Sequence, residues 1–532
     1  MKIVFAPSGR RMIPYPPCGP AVLEAAASPL VDTTVVDLEM LMWHEHQRGT
    51  PVPMYDGDPM DPWAILQDPL PAGLCGYQDL LFARAGLAAG EHLAISVMGY
   101  EQLASALLLM RRALEGGSRV IMGGQFFSMQ AASQLLLAAR AERLTVTVGD
   151  GFNAIRQWLQ DAGTVPENSH VLRGGALVAG PAGGGSEPPV PHYRSVDWSL
   201  YEGYAAKVFK DRRPVRRAHV YVWDKKCPFR CTFCRVSSGS DAKLTKPSQV
   251  AALYASLLEV GATQFNFMTN ELNPSKKYLK GVLAEMEKIP ADLGGAAWFT
   301  YLRPDPIDAQ DFVRLRRVGC RLVRYGVETG SQRLSDLMKK DYKIDVISRV
   351  LHDAAAADLF NHVNLLVGFP GETDDDVDRT IEFLRANLAV IHSIRINPFY
   401  LPPGSPMSDA PERNNIKLIR FDKGFWEFDV LRGEKTTPAA VKARIERLVG
   451  WCMDHGLGFA ATLPFETLNI LSMHATRGAA LEHMREHYPF FWRVANSDSL
   501  KAHFGGYGKT EVSWDATIYR RDRNYNVVLC ND

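Results

Sequence analysis

Three of the eight cysteines in this 532-residue chain fall within eight residues. They are Cys227, Cys231 and Cys234, spaced C-x3-C-x2-C, with Phe233 before the last. Cysteine thiolates are the standard ligands of iron–sulfur clusters, and a cubane normally takes four of them. Three on one short loop can bind three irons, and no fourth cysteine lies near in sequence. One iron is then left open for another ligand, which is how a metal site does chemistry rather than structure alone. The same spacing also fits a structural zinc knuckle with a remote fourth ligand. Cys18, Cys75, Cys320, Cys452 and Cys530 are scattered. That argues against a disulfide scaffold and for a reducing, cytoplasmic setting.

The elements that must position this loop are read from hydrophobic periodicity. From residue 216 onward six strands alternate with helices. The strands are expected at 218–223, 264–269, 296–302, 321–327, 362–367 and 391–397. The helices are expected at 248–259, 275–288, 308–318, 345–357 and 374–387. Six βα units without a break predict a barrel or part-barrel whose chemistry sits on the loops after the strands. The cysteine loop follows the first of them.

Ahead of it, runs at 2–6, 33–37, 93–97, 119–122 and 144–148 alternate with helical stretches, and glycines recur just past the strand ends. This pattern predicts a doubly wound parallel sheet whose ligand lies at its carboxyl edge. The fold class is therefore α/β, in four parts. These are a Rossmann-like domain over 1–160, a linker over 161–215, a partial (β/α)6 barrel over 216–410, and a mainly helical capping domain over 411–532. Residues 174–192, rich in Gly and Pro, read as a linker or exposed loop. Helices are expected near 437–456 and 475–487. His483 and His487, one turn apart, offer a metal or anion site or simply a solvated helix face.

C-x3-C-x-aromatic-C after a first barrel strand resembles the signature of the radical S-adenosylmethionine superfamily. The resemblance implies a [4Fe-4S] cluster on Cys227, Cys231 and Cys234, with S-adenosylmethionine on the open iron. It implies one-electron cleavage of that sulfonium to a 5′-deoxyadenosyl radical. It also implies an external electron donor such as flavodoxin or ferredoxin. Phe233, Asn270, Glu271, Arg303, Glu328, Ser331, Gly368 and Phe369 are the implied S-adenosylmethionine positions. Glu271 would take the methionine ammonium; its other reading is a surface-loop acid. Gly326-Val-Glu328-Thr-Gly330-Ser331 resembles a ribose- or amine-binding pattern of the superfamily, or else caps a helix. Gly368-Phe-Pro-Gly371-Glu372-Thr373 resembles the stretch that lines adenine, though Thr373 also suits a helix cap. Tyr301, at the end of the third strand, is a candidate hydrogen donor.

The α/β region in front resembles the cobalamin-binding subclass of that superfamily. Pro17, Gly19, Ser96, Gly123, Gly124, Gly149, Asp150 and Gly151 would hold the corrin and its tail. The chain contains no Asp-x-His, so a cobalt ligand of the mutase type is not expected. The resemblance implies a cobalamin-dependent methyltransferase acting on an unactivated carbon or another poor nucleophile. Its substrate would be a small molecule or peptide of natural-product biosynthesis. Non-methylating radical chemistry on the same architecture, without bound cobalamin, is the alternative.

Composition bounds the partners. Sixty Lys and Arg against 59 Asp and Glu give a net charge of +1, against a dedicated nucleic-acid or membrane-surface binder. The basic stretch from Lys207 to Lys226 reads as a solvated connector. No signal peptide and no run of about 18 apolar residues is seen.

Overall fold

The computed structural model describes residues 1–9, 15–56, 60–67, 69–183, 187–208, 214–222, 227–237, 244–290, 296–422, 425–455, 457, 520–521 and 527–528. The expected helix at 475–487, with His483 and His487, lies outside these residues. Among the described residues no helix is long and apolar enough to cross a membrane. The chain divides into two compact units, residues 1–219 with 252–262 and residues 220–251 with 263–532.

The first unit is built on seven strands. These are β1 (Lys2–Phe5), β2 (Thr34–Asp37), β3 (Leu93–Ser96), β4 (Val120–Gly123), β5 (Leu144–Thr147), β6 (Ser169–Arg173) and β7 (Ala176–Ala179). Their order is β2-β1-β3-β4-β5-β6-β7. β1 to β5 run parallel, and β6 and β7 are antiparallel additions. Every residue of β3 and β5 is buried, as expected of short apolar strands covered on both faces. Leu107, Leu108, Val120, Met122, Leu135 and Leu136 belong to the core around them. The chain reverses its direction of travel across the sheet between β1 and β3, the switch point where such sheets bind ligands.

The expected linker over 161–215 is not a linker. β6 and β7 extend the sheet, and Gly174 and Gly175, with φ of 54° and 80°, form the two-residue turn between them. Positive φ at both positions matches the twist of a hairpin, and glycine adopts it without strain. The helix Trp198–Val208 is tied back to β2 and the helix after it. The Tyr201 hydroxyl donates to Asp37 Oδ2 at 2.5 Å, and His44 Nε2 lies 2.8 Å from the Leu200 carbonyl.

The second sheet holds β8 (Arg217–Tyr221), β9 (Gln264–Met268), β10 (Ala297–Leu302), β11 (Cys320–Glu328), β12 (Phe360–Val367) and β13 (Ser393–Pro398). They lie side by side in chain order, with β8 and β13 at the two edges. This is a part-barrel, with helices Pro247–Glu259, Lys276–Met286, Ala309–Arg317, Ile344–Ala356 and Asp374–Ala386 between strands. Local chemistry sets the helix starts. Asp308 with Asp311 and Thr373 with Asp376 form capping boxes. Asp374, Asp375 and Asp376 also place negative charge at the positive end of their helix. Phe265, Phe267, Trp298, Phe299, Phe312 and Phe360 are buried in this unit.

After the part-barrel the expected mainly helical region begins differently. β14 (Ile416–Asp422) and β15 (Phe425–Val430) form an antiparallel hairpin. Helix Pro438–Asp454 follows, close to the expected 437–456. Alternation along 416–430 carries the period of a strand, which the helix reading passed over.

Candidate active site

The cysteine loop is closed by its own backbone. Cys227 N–H donates to the Val236 carbonyl at 2.8 Å, Ser237 N–H to Cys234 at 3.2 Å and Cys234 N–H to Cys231 at 3.3 Å. The Ser237 hydroxyl donates to the Phe229 carbonyl at 2.8 Å. Two neighbours fix the loop from outside. Thr232 N–H reaches the Met338 carbonyl at 3.0 Å, and Met407 N–H reaches the Thr232 carbonyl at 2.8 Å. Phe233 packs edge-on against Phe369, 6.3 Å between ring centres. Phe369 continues to Phe399 at 5.3 Å, within a small core that includes Leu334, Met338 and Leu401.

The three sulfurs are free thiols, with Cys231 buried and Cys227 and Cys234 half-buried. Burial pushes the Cys227 thiol up to about 12, and Glu271, Cys234 and Cys231 add to that. Burial likewise raises Cys234, with further contributions from Cys231 and Glu328 and opposition from Lys340. Cys227 and Cys234 therefore need nearby positive charge to ionise, which coordinated iron would supply. Among the described residues no trio of His, Cys, Asp or Glu is placed to chelate a single metal ion.

Residues 223–384 match the family model described as the Radical SAM superfamily. The chain carries a radical SAM domain. Relatives by sequence include the threonylcarbamoyladenosine tRNA methylthiotransferase MtaB of Thermotoga maritima. It is 28% identical over 50% of this chain and 58% of its own length. A tRNA-2-methylthio-N(6)-dimethylallyladenosine synthase of Paracoccus denitrificans is 26% identical over 35% of this chain and 44% of its own. The chain thus spans about half the length of the curated relatives it matches.

Solved structures share the fold more widely. The radical S-adenosylmethionine methyltransferase TsrM from Kitasatospora setae, with cobalamin and a [4Fe-4S] cluster bound, aligns with a TM-score of 0.53 at 16% identity. That alignment covers 77% of this chain and 75% of TsrM. The cobalamin-dependent S-adenosylmethionine radical enzyme OxsB aligns with a TM-score of 0.58 at 12% identity, over 95% of this chain and 75% of OxsB.

A radical SAM domain implies a [4Fe-4S] cluster and S-adenosylmethionine, and the partly buried three-thiol loop fits them. The structure distributes the other expected positions unevenly. Glu271 lies close enough to Cys227 to raise its thiol, and Asn270 precedes it on the loop after β9. Glu328 ends β11 with a φ of 67°, at a register shift against β12. Its Oε1 is 3.4 Å from Lys340 Nζ.

Ser331 is buried, donates to Asp376 Oδ1 at 2.6 Å and accepts from Leu334 N–H at the start of its helix. Thr373 caps the next helix but one. Gly368 N–H donates to Glu372 Oε2 at 2.7 Å. Burial pushes the Glu372 carboxyl up to about 7. The nearly buried Arg444 closes this loop from helix Pro438–Asp454, donating to the Glu372 carbonyl at 2.9 Å and Asp374 Oδ1 at 2.8 Å.

Tyr301 lies beneath the buried Arg324 guanidinium, 4.2 Å from ring centre to Cζ, which gives its ring a cation–π partner. Arg303 turns into the cysteine loop itself and stacks on Phe229. Lys340 and Tyr342, which no motif announces, complete that layer. Tyr342 donates to the Gly326 carbonyl at 2.7 Å.

In the first unit the expected cobalamin positions gather at one sheet edge. Ser96 and Gly123 are partners in register at the ends of β3 and β4. Val97 N–H donates to the Gly123 carbonyl at 2.8 Å. Gly124 has a φ of 123°, and a Cβ there would lie 2.2 Å from the Val97 carbonyl oxygen. Only glycine fits this crossing. Gly149, φ 102°, faces open space, and Gly151 precedes helix Phe152–Gln160. Pro17 precedes helix Cys18–Ala27, within which Gly19 is exposed. Parallel pairing of β1, β3, β4 and β5 puts all these loops at the carboxyl edge.

Proposed function

We propose that this chain is a cobalamin-dependent radical S-adenosylmethionine methyltransferase. Its target is an unactivated carbon or another poorly nucleophilic atom of a small molecule or peptide, in natural-product biosynthesis. The observation that carries the reading is the pairing, in one chain, of a radical SAM domain with an open parallel sheet ordered β2-β1-β3-β4-β5 at its core. The fold shared with TsrM and OxsB over most of the chain supports it.

In this reading Cys227, Cys231 and Cys234 hold the cluster, and Asn270, Glu271 and Glu328 receive S-adenosylmethionine. Phe233 and Phe369 wall the site with apolar surface and exclude water from it. Pro17, Gly19, Ser96, Gly123, Gly124, Gly149, Asp150 and Gly151 cradle cobalamin by close backbone approach. Bound there, the cluster with S-adenosylmethionine supplies one-electron hydrogen abstraction and cobalamin supplies a methyl carrier.

Sequence relatives named for tRNA methylthio transfer favour a second reading, with tRNA as the substrate. The net charge of +1 favours a small molecule or peptide over a polyanion. Incubation of reconstituted protein with reductant and S-adenosylmethionine labelled in its methyl group separates the readings. Separate arms hold a small-molecule and peptide extract and bulk tRNA. Methyl transfer yields S-adenosylhomocysteine together with 5′-deoxyadenosine and label in the extract. Label in tRNA supports the second reading, and 5′-deoxyadenosine without S-adenosylhomocysteine contradicts methylation.

A further inference from the structure

Behind the cysteine loop lies a layer of cations to which the proposed reaction assigns no role. Arg303 is 3% exposed and Lys340 5%. Arg303 is fixed at its backbone by buried Asn273, whose amide accepts from Arg303 N–H and donates to its carbonyl, both at 2.8 Å. Its guanidinium stacks on Phe229, with Cζ 3.5 Å from the ring centre, and lies 5.2 Å from the Tyr342 ring. One arm donates to the Lys340 carbonyl. The other points at Cys231 Sγ, 4.0 Å away. The Lys340 ammonium sits 5.8 Å from the Phe233 ring, beside Cys234, and is paired with Glu328.

We infer that Arg303 and Lys340 set the reduction potential of the cluster held by Cys227, Cys231 and Cys234. Arg303 acts through its N–H toward the Cys231 sulfur, and Lys340 through its charge. The inference rests on the cluster reading above. Three thiolates make the cluster site negative, and reduction adds one more electron with no bond made or broken. That electron comes from a low-potential donor. Buried cations and N–H groups directed at ligand sulfurs stabilise the added charge and raise the potential. Arg303 has the larger effect, because it faces a ligand sulfur directly and among the described residues carries no carboxylate partner on that arm. Glu328 offsets part of the Lys340 charge. Both are positioning residues, since each acts through the cluster.

The test is a dithionite redox titration of the full, anaerobically reconstituted chain, followed by the electron paramagnetic resonance of the reduced cluster. Arg303→Met, Arg303→Lys and Lys340→Met are compared with wild type at measured iron content. Lys340→Met keeps the backbone carbonyl that accepts from Arg303. The expected result is full iron and a more negative midpoint in Arg303→Met, a smaller shift in Lys340→Met and partial recovery in Arg303→Lys. Midpoints equal to wild type at full iron overturn the inference and leave the cluster reading standing. If Arg303→Met loses its iron, Lys340→Met and Arg303→Lys decide: a negative shift upholds the inference and no shift overturns it. Wild-type protein that takes up no iron overturns both.

Discussion

The two parallel sheets of this chain end in loops of opposite character. At the edge of the first sheet the proposed cobalamin site rests on backbone. Among the residues proposed there, Gly123, Gly124, Gly149 and Gly151 bring no side chain, while Ser96 and Asp150 bring polar ones. At the second sheet the proposed cluster site rests on side chains: three thiols, two carboxylates, Arg303, Lys340 and Tyr342. A backbone cradle suits a large, preformed ligand held by shape. A set of buried ionisable groups suits a site where charge changes during the reaction. In the proposed reading the same strand–loop–helix plan serves holding in one place and electron transfer in the other.

Perturbations should separate the two. Replacing any of Cys227, Cys231 or Cys234 with Ala should abolish the cluster and all cleavage of S-adenosylmethionine. Cobalamin uptake should survive, because it depends on the other sheet. Iron analysis and the visible spectrum of the variants read both. Gly124→Val should do the reverse. Its Cβ would collide with the Val97 carbonyl at a φ that β-branched residues avoid, costing several kcal/mol. Cobalt retention should fall while iron stays near the wild-type level.

Arg444→Ala removes the hydrogen bonds to the Glu372 carbonyl and the Asp374 carboxylate and should cost about 2 kcal/mol in denaturant unfolding. Glu372 itself gives a pH signature. Burial raises its carboxyl in the folded state to about 7, so the native chain keeps a proton that the unfolded chain releases. Stability should fall as pH rises from about 4.5 to 7, by an amount on the order of 3 kcal/mol. Glu372→Gln should flatten the unfolding free energy across that window, and an unchanged slope would contradict the assignment. Gly149→Ala is the mildest change. Its Cβ meets nothing within 4 Å, so only the positive φ is strained, at roughly 1 kcal/mol.

Sequence made the second sheet legible almost residue by residue. Its six expected strands lie within two residues of those observed at every boundary. Continuous apolar runs are bounded there by glycines and capping acids, and the cysteine spacing is local. The first sheet was legible in its parallel part and not beyond it. Gly174 and Gly175 lie in a stretch whose Gly and Pro content also describes a flexible linker, and only positive φ at both reveals a hairpin turn. The hairpin β14–β15 was missed because its alternation is short and mixed with charge.

The cation layer was only half visible. Arg303 is among the positions that the resemblance implies for S-adenosylmethionine. Its partners Lys340 and Cys231 stand 37 and 72 residues away. No spacing rule joins residues so distant; tertiary packing does.

Anaerobic purification, reconstitution with iron, sulfide and hydroxocobalamin, and metal analysis of the gel-filtered protein test the central claim most directly. The account expects four irons and one cobalt per chain. Four irons without cobalt would contradict the cobalamin assignment and leave the first sheet without its proposed ligand. Zinc in place of iron would contradict the radical reading as a whole.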